Sequence, residues 1–546
     1  MSVEAAVARL NDIVGGEHVL SSESDRASRS RDISLWQRTC AAVVYPGTAE
    51  EVSEVVKVAA QFGLPVWPFS KGKNWGYGAT QGLREGALIV MLERLNRILE
   101  VNEELAYAVI EPGVTQRQLN DHLKRNGIRL WVDCTDSTPE GSVIGNALER
   151  GIGYTPYWDH FANLCGLEVV LPDGEIVRTG GGPANSLSWN TFKWGTGPYL
   201  EGLFTQSNLG IVTKAGVWLM PEPEAFASFI CEVDDDRYLP GAIDAIRRLA
   251  LHRAIPANVH VVNEMLLLAQ MIQYPYDMLA GRTHLSNEMR AALRARYRIA
   301  PWTVTGGLYG SKGQVLLAKR AVHKALGPYG RVRFMGGLMV AVTRAVIRAW
   351  KLLRAVPGIT PAFTRLMGSS LEKLEVIPHV YPILKGIPGE YIVGFAYFKS
   401  RGERPRKNVD PVRDGAGMTW MAVVTPMTGR HTKALLELVQ PLFEHHGLDL
   451  SLTFMMVNAR SALGLFEIFF DRDSEDERSR MLALYDELAE ATAQAGYQQY
   501  RTSVAYFDRV LGPSPSFQRL AETLKAAVDP NGILAPGRYG MGLRSP

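Results

Sequence analysis

The sequence predicts a mixed helix and strand fold, α/β or α+β, in more than one domain. Three observations predict it. The chain has 546 residues, more than a single hydrophobic core usually serves. Residues 41–115 alternate strand and helix signals. After Pro221 and Pro223 the texture changes to a longer segment of helices and strands, which places a boundary near 225.

In order, AAVVYPGTAEEVSEVVK (41–57) reads as a strand, a Pro-Gly turn, an N-cap at Thr48 and a helix that opens on two glutamates. QFGLPVWPFS is a second strand that runs into KGKNWGYG (71–78). ALIVMLERLNRILEV and YAVIEPGV carry further strand character. GLEVVLPDGEIVRTG predicts a hairpin turning at Asp173 and Gly174, and GIVTKAGVWLMPEP another strand. Helices are expected at about 238–253, 285–299 and 313–325, strands near 331–342 and 418–425, and a loop at 400–416. Compact turn signals return from about 500 to AVDPNGILAPGRYG.

Composition excludes several classes. Apolar residues are 46 % and charged residues 21 %, as in ordinary globular proteins. A net charge of +3 gives no support to a nucleic-acid partner, which needs a clustered basic surface. Cys40, Cys134, Cys165 and Cys231 are too scattered for a zinc site or a disulfide framework, so no metal and a reducing cytoplasm are expected. The start, MSVEAAVARLNDIV, lacks the basic-then-apolar order of a signal peptide, and no run of eighteen apolar residues occurs. In 336–355 the cations Arg344, Arg348, Lys351 and Arg354 recur at helical spacing, with Val342, Val346, Ile347, Trp350 and Leu353 on the other side. This is a basic amphipathic helix, suited to a membrane surface or a protein partner, or else a core helix with a solvated basic face.

Three stretches carry candidate chemistry. In KGKNWGYG, Gly72, Gly76 and Gly78 allow backbone N–H groups to approach phosphate oxygens; a plain connecting turn is the alternative. In GSVIGNALERGIGYTPYWDH (141–160), small residues at Ser142 and Gly145 beside Asn146 suit a backbone packed flat against a large planar ligand. In TQSNLGIVT (205–213), Thr205, Gln206, Ser207 and Asn208 precede a strand and could bond a nucleotide. For proton work the chain offers Tyr77, Tyr154, Tyr157, Tyr500, Arg501, Asp133, Asp136, Asp159 and His160. An arginine next to a tyrosine favours an anion nearby.

Taken together and in order, VWPFSKGKNWGYGAT, ILEVNEELAYAVIEPGV, GSVIGNALERGIGYTPYWDH, GLEVVLPDGEIVRTG, GPYLEGLFTQSNLGIVTKAGVWLMP, QYRTSVAYFDRV and AVDPNGILAPGRYGM resemble the vanillyl-alcohol oxidase and p-cresol methylhydroxylase family of FAD enzymes acting on para-substituted phenols. The resemblance covers nearly the whole chain. It implies an α+β fold with an FAD-binding domain in two subdomains, over 1–225 and completed by 500–546. A cap domain of antiparallel sheet and helices over 226–499 is implied with it. Ser70, Lys71, Gly72, Lys73, Asn74, Gly76 and Gly78 then look like the pyrophosphate loop, and Ser142, Gly145, Asn146, Ser207, Gly210 and Ile211 like further cofactor contacts.

By the same resemblance, Tyr77, Tyr500 and Arg501 grip a phenolic oxygen, and Tyr154 sits near the flavin and the substrate ring. Flavin N5 takes a hydride from the benzylic carbon, leaving a neutral p-quinone methide. The acid-base carboxylate is expected at Asp136, with Asp133 as fallback, because LWVDCTDSTPEGSV is one residue longer than the usual form. The residue that matches the flavin-attaching histidine of some members is Gly417, and no His or Tyr occurs between 398 and 430, so noncovalent FAD is expected. The resemblance further implies dioxygen or a cytochrome c-type electron acceptor and a homodimer. The alternatives are oxidation of another alcohol or biosynthetic intermediate, and a non-catalytic flavin-binding protein.

Overall fold

A computed structural model describes residues 2–29, 31–135, 137–255, 258–353 and 369–542. Short β-branched runs form the first layer. Strands Val19–Leu20, Ala42–Val44, Leu88–Met91 and Val66–Phe69 lie side by side in that order, the last three parallel. The two central strands, Ala42–Val44 and Leu88–Met91, are buried throughout, as in a parallel sheet covered on both faces. Helix Ala49–Phe62 starts at Thr48, whose side chain accepts from Glu51 N, and ends at Gly63 in the left-handed region. It presses Val52, Val55, Val56 and Ala59 onto that sheet.

A second, antiparallel sheet has the order Ile98–Asn102, Tyr107–Ile110, Ile211–Trp218, Leu164–Val170, Ile176–Arg178. Its last two strands are the hairpin expected at Asp173 and Gly174.

The largest element is an eight-stranded antiparallel sheet, ordered Arg331–Met335, Ala225–Val233, Trp302–Gly310, Val259–Asn263, Leu452–Asn458, Ser461–Phe469, Met418–Pro426 and Gln498–Arg501. Side chains alternate across it. One face packs Phe229, Val304, Phe454, Phe466 and Ile468 against helices Leu239–Leu251, Gly429–His445 and Glu475–Gln494. The other carries Ala422, Met455, Leu463 and Leu465, with Tyr500 and Trp420 packed on them. The tail returns to the first sheet, where Val66 and Leu534 form a parallel bridge. There Lys525, buried with its Asp529 partner at 2.6 Å, also donates to the carbonyls of Asn208 and Leu534.

The α+β class expected from the sequence is the one observed. The strand expected over 331–342 stops at Met335, and helix Gly337–Leu353 follows. That helix buries Val340, Ile347 and Trp350, but Val342, expected on the covered side, is 54 % exposed, as are Leu338 and Leu352 more fully. Arg354 lies outside the described residues. All four cysteines are free and buried, and among the described residues no helix is long and apolar enough to cross a membrane.

Candidate active site

The octapeptide at 71–78 divides in two. Strand Val66–Phe69 delivers it to a deep cleft lined by Ser70, Lys71, Gly72, Lys73 and Asn74. Among the described residues, no protein acceptor takes the backbone N–H groups of residues 71–74. Gly72 adopts φ +61°, and a Cβ there would collide with the Thr80 methyl, so glycine is required. Consecutive free N–H groups around such a residue form an anion-binding concavity. Lys71 Nζ pairs with Glu93 at 3.4 Å and Lys73 Nζ with Asp410 at 3.0 Å.

The second half closes on itself. Tyr77 N and Ala79 N donate to the Asn74 carbonyl, and Gly76 N and Gly78 N donate to the two carboxylate oxygens of Asp32 at 3.0 and 2.9 Å. Burial pushes the Asp32 carboxyl above its usual range, against the bonds from Ser34 and the two glycine amides. Gly76 and Gly78, expected in the phosphate cradle, do not line the cleft. A Cβ on Gly76 would strike the Trp420 ring and one on Gly78 the Val504 side chain, so close packing explains both.

The opposite wall is helix Val143–Leu148. Ser142 caps it, its hydroxyl accepting from Gly145 N at 2.8 Å and donating to the Pro112 carbonyl at 2.5 Å. A Cβ on Gly145 would stand 2.8 Å from Ser70 Oγ, so the two walls approach as closely as glycine permits. Asn146, Gln206, Ser207, Gly210 and Ile211 also line the cleft. Thr205 and Asn208 do not line it: Thr205 Oγ1 donates to Leu148 O, and Asn208 Nδ2 to the tail carbonyls of Ala535 and Met541. Both are consumed in fastening segments of the chain together.

Beyond Asn74 the cleft opens into a second chamber. Tyr77 lines it together with the adjacent pair Tyr500 and Arg501, which lie over 420 residues further along the sequence. The Arg501 guanidinium carbon lies 5.3 Å from the Tyr77 ring centre and 5.6 Å from that of Tyr500. Its Nε and Nη2 donate to the Glu149 carbonyl at 2.9 and 2.5 Å, and Nη1 reaches Asn74 Oδ1 at 3.4 Å. Burial disfavours its charge, yet the phenols of Tyr500, Tyr77 and Tyr539 leave it above its ordinary range. Burial and the neighbouring Tyr500 push the Tyr77 phenol well above its usual value, so at neutral pH it is a donor. The Tyr77 ring stacks on Trp420 with centroids 6.4 Å apart. Ile152, Phe395, Met455, Leu463 and Leu465 supply an apolar floor from the large sheet and its neighbours.

Several of these residues gave no sequence signal. Glu149 is the chief one: besides its carbonyl bonds to Arg501, its carboxylate pairs with Arg538 and accepts from the Tyr539 hydroxyl at 2.6 Å. It thereby ties the tail to Arg501 and the second chamber. Asp32, Trp420 and Arg538 are likewise visible only once the chain is folded.

Asp136 lies outside the described residues. Asp133, the fallback, is turned away from the chamber: it accepts from Tyr154 N, Thr155 N and His160 Nε2. Tyr154 lines neither cavity. Its ring stacks on buried His260 at 4.5 Å between centroids, because Asp133 holds its backbone N–H from behind. Burial lowers the His260 pKa to about 4 despite the Asp133 charge. The unfolded state therefore binds the extra proton between pH 6.5 and 4, and stability present above pH 6.5 is lost as pH falls through that window, by about 3 kcal/mol at most. His260→Phe, measured by urea unfolding at pH 7 and pH 4.5, should show a smaller acid loss than the parent.

Comparisons with known proteins agree with this architecture. An FAD binding domain model matches residues 40–180. The chain is 35% identical to 1'-carboxy-chondrochloren decarboxylase of Chondromyces crocatus, over 98% of this chain and 97% of that one. It is 30% identical to the 4-cresol dehydrogenase [hydroxylating] flavoprotein subunit of Pseudomonas putida, over 99% and 96%. It belongs to the vanillyl-alcohol oxidase and p-cresol methylhydroxylase family. Among solved structures of this family, 4-ethylphenol oxidase from Gulosibacter chungangensis in its isoeugenol complex superimposes with a TM-score of 0.85 at 28% identity, over 98% of this chain and 97% of that one.

Membership makes the chain an FAD-dependent oxidoreductase, and its cleft fits the cofactor family members bind. The open N–H groups at 71–74 suit a pyrophosphate. At Gly417 a Cβ would collide with the Phe470 carbonyl oxygen. No side chain enters there without moving the strand.

Proposed function

We propose that the enzyme oxidises the para side chain of a phenol at its benzylic carbon. The observation that carries this reading is the meeting of Arg501, Tyr77 and Tyr500 at one end of an apolar chamber that adjoins the FAD cleft.

Bound FAD supplies the two-electron acceptor. The chain's residues prepare the substrate for it. A phenol seated against Arg501 loses its proton readily, because the guanidinium stabilises the anion in a dry site, and Tyr77 and Tyr500 donate to the same oxygen. An anionic ring oxygen pushes electron density to the para carbon, so loss of a benzylic hydride leaves a neutral quinone methide instead of a cation. Trp420, Phe395 and the leucines of the floor hold the ring and keep water from the anion. The test is anaerobic mixing with a panel of 4-alkylphenols, 4-hydroxybenzyl alcohols and non-phenolic alcohols, followed by air. Bleaching of the flavin by the phenols alone supports the reading, and recovery of colour in air marks dioxygen, not a cytochrome c-type protein, as acceptor.

The FAD is held without a covalent bond. The packing of Gly417 on Phe470 and the absence of His or Tyr between 398 and 430 support this. Acid precipitation is expected to leave the yellow colour in the supernatant; a yellow pellet refutes it.

A carboxylated phenol is a second reading, favoured by the decarboxylase from C. crocatus and by Lys73, a cation lining the same chamber. In a quinone methide bearing a carboxylate on the neighbouring carbon, the C–C pair released with CO2 forms the alkene and restores the phenolate. Release of CO2 in step with flavin reduction distinguishes it.

A further inference from the structure

Behind the cleft, three polar side chains run in line. Asn146 Oδ1 stands 2.6 Å from His160 Nδ1, and His160 Nε2 stands 3.1 Å from Asp133 Oδ2. The side chains of His160 and Asp133 are 12 % and 4 % exposed. The two ring nitrogens of His160 thus bridge the Asn146 side-chain oxygen and the Asp133 carboxylate. Asp133 is itself fixed by the N–H groups of Tyr154 and Thr155.

The backbone is shaped around this row. A Cβ on Gly151 would fall on Asn146 Oδ1, and one on Gly153 on the Asp133 carboxylate and close to His160 Nε2. Each junction of the row is thus covered by a residue without a side chain. Asn146 alone of the three reaches forward, to the place where the cleft meets the chamber, while His160 and Asp133 line a small cavity on the far side.

We infer that the Asp133–His160 pair is a positioning device that locks the carbonyl end of Asn146 backwards and so presents its N–H2 as a fixed donor toward the flavin ring. A donor held there stabilises the reduced, more electron-rich flavin over the oxidised one. The inference rests on the cleft as the flavin site and not on the phenol chemistry.

The test is the midpoint potential of bound FAD, measured against reference dyes without any substrate, so that failure of the phenol reading leaves it untouched. Asn146→Ala and His160→Gln are each expected to weaken retention of the electrons about tenfold, one hydrogen bond's worth, or about 30 mV more negative for a two-electron couple. The double variant should shift no further, since His160 acts through Asn146. Gly151→Ala, which displaces the amide without touching a titratable group, should reproduce the shift and stands in where His160→Gln loses its FAD. An unchanged potential in His160→Gln or Gly151→Ala, even with a lowered melting temperature, assigns the row a purely structural role and overturns the proposal. Additive shifts in the double variant overturn the coupling.

Discussion

Arg501→Ala slows anaerobic reduction of the flavin by a 4-alkylphenol by about 10²–10³-fold, the effect of removing one preorganised group from a developing anion. The guanidinium carbon lies 5.3 and 5.6 Å from the Tyr77 and Tyr500 ring centres, where on the proposed reading it favours ionisation of the ring oxygen at neutral pH. Arg501→Lys restores little, because Nε and Nη2 share the Glu149 carbonyl while Nη1 reaches Asn74, a fork that a single ammonium does not reproduce. The FAD absorption spectrum is retained in both variants. Stopped-flow absorbance separates the effect on reduction from any loss of cofactor.

The second large effect falls on stability. Glu149→Ala removes the carboxylate that pairs with Arg538 and accepts from Tyr539. Arg538, largely buried and with its Nε lacking a partner among the described residues, would be left with its charge poorly compensated, at a cost of about 3 kcal/mol. Because these contacts fasten the tail against the cleft, urea unfolding should shift to lower concentration and FAD should leave earlier in the same titration. Glu149→Gln, which still accepts from the Tyr539 hydroxyl, should lose less.

These expectations rest on features of very different visibility in the sequence. Local grammar was readable: Thr48 capping a helix, the Asp173–Gly174 hairpin, the glycine-rich loop after Phe69. Each depends on residues within a few positions of one another. The glycines of that loop also show the limit, since Gly72 serves an open, cleft-lining turn while Gly76 and Gly78 make room for Trp420 and Val504 from distant segments. Composition is the same in both cases; the partner that a Cβ would strike is not in the local text.

Contacts across the chain were wholly hidden. Glu149 meets Arg538 and Tyr539 nearly 390 positions later, and a lone glutamate after a helix has no pattern that announces such partners. The chamber floor arises from strand pairing, where Ala422 faces Leu465 and Met455 faces Leu463, so only the register brings these side chains to one face. Tyr154 shows the same limit. It sits in a polar, glycine-rich stretch beside the cleft, yet its own backbone N–H and that of Thr155 are held by Asp133 and its ring stacks on His260.

The central claim is recognition of an ionisable ring oxygen, and a matched pair of substrates tests it most directly. Under nitrogen, 4-ethylphenol should bleach the flavin, and its methyl ether, equal in shape but unable to form an oxyanion, should leave it yellow over the same period. Bleaching of comparable rate by the ether would contradict the account.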